Sequence, residues 1–234
     1  MVPFLLPPGY RRIQVVDSFA ALLGTPLDGE TNAVCWPRDL AGDFDEVVRR
    51  LPQRPGVTPL DDATLAALPV GARGRLAITT LCSDLRRLRE AGHAPELDIV
   101  ASYPRDDGPV PTDVHSFHVD SATVPTETFL CTYSGAPSEG LRDDEAVRCV
   151  DVPDLREQLR RQFGGDDGPV FERWLHEHCF DRHFRPTAAA TPFSFGVGNL
   201  WRLAVQHPAS RVPACIHRAP PPQPGAAPRL VLIS

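Results

Sequence analysis

The chain has 234 residues, 42 % hydrophobic and 23 % charged, with a formal net charge of −6. That length can bury a sizeable core, and that composition reads as soluble and globular. All 24 basic residues are arginine, which excludes Schiff-base lysine chemistry and a lysine-bearing phosphate loop, and the lack of a basic run argues against a nucleic-acid partner.

The opening MVPFLLPPGYRR has an apolar run that stops at Pro7 and Pro8, too short for a signal-peptide core or a membrane span. Asp17 to Leu23 reads as a short helix ended by Gly24, and Thr31 to Trp36 as a strand. Asp43 to Leu51 and Asp61 to Leu68 open with acidic residues, as helices favour. Arg75 to Ala91 carries Leu76, Ile78, Leu81, Leu85 and Leu88 at helical spacing. Residues 1–93 thus read as a mainly helical part.

From residue 94 the texture turns to strands. Leu97 to Tyr103 is the first, followed by a Pro/Gly/Asp loop at 104–113. Val114 to Asp120 and Thr126 to Tyr133 follow, then a Gly/Pro/Ser turn and a short strand from Ala146 to Val152. Helices are predicted at Pro153 to Phe163 and Val170 to Cys179, forming a helical insertion over about 153–185. The last strands are Phe193 to Phe195, Asn199 to Val205, Val212 to His217 and Arg229 to Ile233. Residues 219–224 form a stiff Pro-rich loop. The expected class is α+β: a jelly-roll (double-stranded β-helix) core over 94–234, with the helical parts packed outside it as one compact domain.

The six cysteines, at 35, 82, 131, 149, 179 and 215, form no C-x-x-C pair, so they read as reduced thiols of a cytoplasmic protein. Chemistry concentrates at His118-x-Asp120. Side chains at i and i+2 of a strand leave from one face, so the pair can reach one metal. His217 on a late strand is the candidate third ligand. Two imidazoles and a carboxylate on one face of an octahedral ion make the facial triad of non-haem Fe(II) sites.

The C-terminal pattern adds specificity to H-x-D. A Gly198-Asn199 turn opens a strand, His217 lies on the next, Pro220 to Gly225 form a loop, and Arg229 begins the last strand. In this order the segment resembles the Fe(II)/2-oxoglutarate-dependent oxygenase superfamily, over roughly residues 94 to 234. A looser resemblance, through L130-C-T-Y-S-G and I216-H-R-A-P, links it to an uncharacterised family of small bacterial proteins with no known activity. The superfamily resemblance implies Fe(II), 2-oxoglutarate and O2, oxidation of a small-molecule substrate in specialised metabolism, and succinate as co-product. It makes Arg229 the partner of the 2-oxoglutarate carboxylate, with a hydroxyl from Thr132 or Tyr133 assisting. Retention of Asp120 argues for hydroxylation or another oxidation over halogenation.

Neighbouring residues read differently. Arg202 and Arg218 are candidates for an acidic substrate, but an arginine beside a site is more often structural. His176, His178 and His183 read as a polar helix end, since 176 and 178 diverge on a helix. His115 faces away from the ligands on a regular strand, whereas Cys215 shares the face of His217. The 104–113 loop and the helical N-terminal half are expected to cover the substrate. Two other readings stay open: an iron oxygenase that uses no 2-oxoglutarate, and a non-catalytic metal-binding barrel.

Overall fold

Capping chemistry sets where the first helices begin. In the computed structural model, which describes residues 6–52 and 54–234, α1 (Phe19–Gly24) starts where Ser18 Oγ accepts from the Ala21 amide at 3.2 Å. Asp43 and Asp61 do the same at 2.7 Å for α2 (Phe44–Arg50) and α3 (Asp62–Ala67). α4 (Ala72–Glu90) buries Ala77, Leu81, Asp84, Leu85 and Leu88 along one stripe. Leu76 lies outside that stripe and is 52 % exposed, so it is not part of the apolar face. α5 (Pro153–Phe163) and α6 (Pro169–Glu177) both start with proline, whose fixed φ suits a first turn. The first five residues of the apolar N-terminal run lie outside the described residues.

Thirteen strands are found among the described residues: β1 (Ile13–Val15), β2 (Ala33–Trp36), β3 (Val57–Pro59), β4 (Glu96–Val100), β5 (Phe117–His118), β6 (Glu127–Ser134), β7 (Glu139–Gly140), β8 (Ala146–Arg148), β9 (His183–Pro186), β10 (Phe193–Ser194), β11 (Leu200–Ala204), β12 (His217–Arg218) and β13 (Arg229–Ile233). They form two sheets, ordered β1-β2-β11-β6-β13-β4-β3 and β10-β7-β12-β5-β9-β8. Pairing is antiparallel except between β1 and β2. The class is α+β. No helix among the described residues is long and apolar enough to cross a membrane.

Alternation along the strands sorts the core into layers. Phe129, Cys131 and Tyr133 of β6, with Leu230 and Leu232 of β13, face α1–α4. Leu130 and Val231 face the other way and pack with Trp201, Leu203, Phe193 and Phe195 between the sheets. A separate cluster joins α5 and α6 to Val110 of the 104–113 loop. That loop therefore packs on the helical insertion.

The N-terminal part is less purely helical than its sequence suggests, because β1, β2 and β3 belong to the seven-stranded sheet. Several strands are also shorter than expected. Asp113 turns the chain by accepting from the Ser116 and His115 amides, so regular pairing starts only at Phe117. Pro213 has no amide to donate, and pairing there begins at His217. Cys149–Asp151 turns into a 3-10 helix after β8.

Candidate metal site

β5 and β12 pair directly, with His118 opposite His217. Residues directly opposite each other project from the same face of a sheet, and the two rings lie 4.7 Å apart, centroid to centroid. Asp120 follows β5 at the point where the Gln206 amide donates to its carbonyl at 2.8 Å. Its carboxylate returns to the same face. Asp120 Oδ1 lies 3.9 Å from His118 Nε2, and Oδ2 lies 3.7 Å from His217 Nε2. One donor atom from each of the three residues falls within 4.8 Å of the others.

The orientation of each donor is fixed from behind. His118 Nδ1 donates to Ser116 O at 2.7 Å and His217 Nδ1 to Cys215 O at 3.1 Å. Carbonyls only accept, so Nδ1 carries the proton and Nε2 offers its lone pair. Backbone support of this kind is what metal-bound imidazoles require. Thr128 Oγ1 on β6 donates to Asp120 Oδ2 at 2.5 Å, tying the carboxylate to the larger sheet.

Electrostatics agree with the geometry. Burial, then the neighbouring His217, holds the His118 imidazole well below its ordinary pKa, so the ring is neutral near pH 7. Burial alone would raise the Asp120 carboxyl. His217, the Thr128 hydroxyl and His118 outweigh it and keep the carboxyl below its usual value. The site therefore presents two imidazoles, that of His118 held neutral, and one carboxylate, a donor set that can hold a divalent transition metal. With bonds of ~2.1 Å, neighbouring ligand atoms sit about 3 Å apart, so binding requires only a small inward movement.

Arg229 opens β13 in the other sheet. Its side chain is held by neutral groups: Nε donates to Ala136 O at 2.8 Å, and Nη2 to Ser138 Oγ at 2.9 Å and Thr132 Oγ1 at 3.3 Å. Burial pulls its pKa down, and the adjacent Tyr103 hydroxyl partly opposes that. Among the described residues no carboxylate lies within ion-pair distance of it. Ser138 stands two residues before Gly140, which pairs with His217, so this turn connects the arginine to the metal-ligand strand. A cavity of about 310 Å³ opens beside Arg229, lined also by Tyr103, His115, Ala136 and Pro220. None of the three metal-site residues lines this cavity or a larger recess of about 630 Å³ lined by Leu27, His93, Glu127 and His207.

The other candidates separate cleanly. Thr132 shares the face of Arg229, but Tyr133 does not. Its hydroxyl donates to Asp84 at 2.7 Å within the helical layer, so the expectation that it helps bind a cosubstrate is corrected: adjacent strand residues point to opposite faces. Arg202 pairs with Glu127 and donates to the carbonyls of Leu22, Leu23 and Thr25 at the end of α1. Arg218 pairs with Glu139 at 2.6 Å and lies over Phe117. Both are structural. His176 bonds Asp181, and His178 bonds Trp174 O, as a polar helix end does. His183 leaves that group and stands opposite His118. His115 lines the Arg229 cavity, and Cys215 is buried with its thiol pKa raised by burial.

Sequence reasoning missed Thr128, Ser138, Tyr103 and His183. Thr128 was findable, because it shares the parity of Thr132 on β6. The other three depend on turns and strand pairings with no local signal. Comparison of the chain with protein-family models, curated proteins and solved structures gives no match.

Proposed function

We propose that this chain is a non-haem Fe(II)/2-oxoglutarate-dependent oxygenase that hydroxylates a C–H bond of a small molecule, with succinate and CO2 as co-products. The two mainly antiparallel sheets are read as the halves of a double-stranded β-helix. The observation that carries the proposal is the convergence of His118, Asp120 and His217, each held from behind by its own hydrogen bond. Three ligands on one face leave positions for a bidentate cosubstrate and dioxygen.

Iron held there would supply dioxygen activation, and the chain supplies the rest. His118 and His217 would each offer Nε2 to it, while Asp120 would offset part of the metal charge. Arg229 supports the cosubstrate reading, because a buried guanidinium without a carboxylate is costly unless an anion completes it. Its planar fork suits the far carboxylate of 2-oxoglutarate, and Thr132 and Ser138 hold the guanidinium in place. The Pro220 to Pro222 segment lines the cavity beside it.

Anaerobic protein loaded with Fe(II) and titrated with 2-oxoglutarate should develop a visible metal-to-ligand charge-transfer band. It should then release succinate on exposure to air. Metal binding without the band would turn the reading to an oxygenase in which Arg229 holds the substrate's own carboxylate. Metal binding without any oxygen consumption would leave a non-catalytic metal-binding protein.

A further inference from the structure

The register of the smaller sheet places a third imidazole beside the two metal-site histidines. β12, β5 and β9 are neighbours, and their Cα partners run His217–His118–His183. Directly paired residues share a face, so the three rings form one row. The ring of His183 lies 5.7 Å from that of His118 and is 6 % exposed. It falls outside the group whose donor atoms converge on one point.

His183 is held as the metal-site histidines are. Its Nδ1 donates to Cys179 O at 2.9 Å, which leaves a lone pair on Nε2 of the neutral ring. Nε2 has no hydrogen-bond partner among the described residues. The carbonyl that orients it belongs to Cys179, the one non-glycine residue with positive φ (63°) among the described residues. That left-handed residue follows the cap of α6 and is how the helix ends, which turns the Cys179 carbonyl toward His183. The residue is buried as a whole, yet Nε2 is not among the fully buried polar atoms that lack a partner, so this nitrogen is open to a group arriving from solvent.

The surroundings indicate what kind of ligand group this is. Burial and then the Arg182 charge hold this imidazole below its ordinary pKa, against the Cys179 carbonyl and the more weakly acting Asp113 and Asp106 of the 104–113 loop, where Asp113 also pairs with Arg105. Arg182, its positive neighbour, is occupied by Ser121, the His176 carbonyl and Asp181. A bare acceptor nitrogen on a neutral ring takes a hydrogen-bond donor. We propose that His183 is a ligand-facing residue of this site, accepting a hydrogen bond through Nε2 from a hydroxyl or ammonium group of the substrate. The substrate class is thus a small molecule with such a donor near the carbon to be oxidised. This inference rests on the proposed function for the reaction but not for the recognition.

The test uses the full chain loaded with Zn(II) and labelled with ¹⁵N-histidine. His118 and His217 should show metal-shifted Nε2 signals, and His183 a neutral ring protonated at Nδ1. Adding 3-hydroxybutyrate or 4-aminobutyrate should move the His183 Nε2 signal upfield, whereas butyrate should leave it in place. His183→Ala should keep one metal per chain and weaken binding of the two donor probes by about tenfold or more. His183→Gln, with an amide oxygen as acceptor, should recover part of that binding. The proposal is overturned if His183 carries its proton on Nε2, if its signal shows metal ligation, or if no donor probe moves it. Loss of metal in His183→Ala also overturns it. If the alanine variant does not fold, the wild-type spectra decide. Absence of the 2-oxoglutarate band in Fe(II) protein defeats the oxygenase reading alone, because the zinc experiment needs no turnover.

Discussion

Arg38, Arg202 and Arg218 each meet a carboxylate, from Asp84, Glu127 and Glu139 respectively. Arg229 meets a carbonyl and neutral hydroxyls. Completion of Arg229 by a bound dicarboxylate therefore predicts a graded response. Arg229→Lys keeps a charge without the fork and should weaken 2-oxoglutarate binding by about tenfold. Arg229→Met should abolish it, while both variants keep their metal, as read by metal content and the charge-transfer band. Unchanged 2-oxoglutarate affinity in the methionine variant would remove Arg229 from the site. A second residue-scale prediction concerns pH. Burial, then His217, lowers the His118 pKa, and burial lowers that of His183. Below the unfolded imidazole value of ~6.5, the unfolded chain binds protons that the folded chain refuses. Stability of the metal-free protein should therefore fall as pH drops from 6.5 to 5. Asp120, whose pKa is also lowered, is ionised in both states across that window and adds nothing to the slope. Urea midpoints measure the effect, and His118→Asn should flatten it; a wild-type midpoint constant over this range contradicts it.

At the scale of the element, β6 is the strand on which the site turns. Its even-numbered residues carry Thr128 to Asp120 and Thr132 to Arg229, and its odd-numbered residues carry Phe129, Cys131 and Tyr133 into the helical layer. Tyr133→Phe should cost about 1–3 kcal/mol, because buried Asp84 loses a donor, yet leave 2-oxoglutarate affinity unchanged. Weaker cosubstrate binding without loss of stability would reverse that assignment. β7 is short but closely packed. A Cβ at Gly140 would overlap the Phe193 ring and lie 2.7 Å from Phe195 Cε1. Gly140→Ala should push β7 away from His217 and lower metal affinity along with the melting temperature; a variant with native values for both contradicts this packing. These elements also show what was legible. The alternation of β6, the caps of α2 and α3, and His118-x-Asp120 are local patterns and were readable. β3, β7 and β9 were not. They are two to four residues long, and β3 and β9 end in proline, so no periodicity accumulates and only distant partners make them strands. His183 was accordingly grouped with its sequence neighbours instead of its spatial ones.

At the scale of the molecule, the division suggested by composition at residue 93 cuts through shared structure. β2 pairs with β11 and β3 with β4, so the sheet that carries Arg229 needs strands from both sides of the cut. The core over that sheet is also shared. Val34, Phe44, Val47, Leu81 and Leu85 pack against Phe129, Cys131, Tyr133, Leu200 and Leu230. Without residues 1–93 an entire apolar sheet face would meet water, at roughly 25 cal/mol per Å2 of newly exposed apolar area, and Asp84 would no longer pair with Tyr133. Metal binding depends on the same integrity, because Thr128 on β6 holds Asp120 and β6 lies between β11 and β13. A fragment spanning 94–234 should therefore fail to give a cooperative thermal transition and fail to bind metal, although it contains His118, Asp120, His217 and Arg229. Coexpression with the 1–93 fragment should restore both, since the missing strands and helices would be supplied in trans. Circular dichroism and metal content measure the outcome. A 94–234 fragment that folds alone and binds metal at native affinity would show that the helical layer is an addition to the site and not part of what holds it.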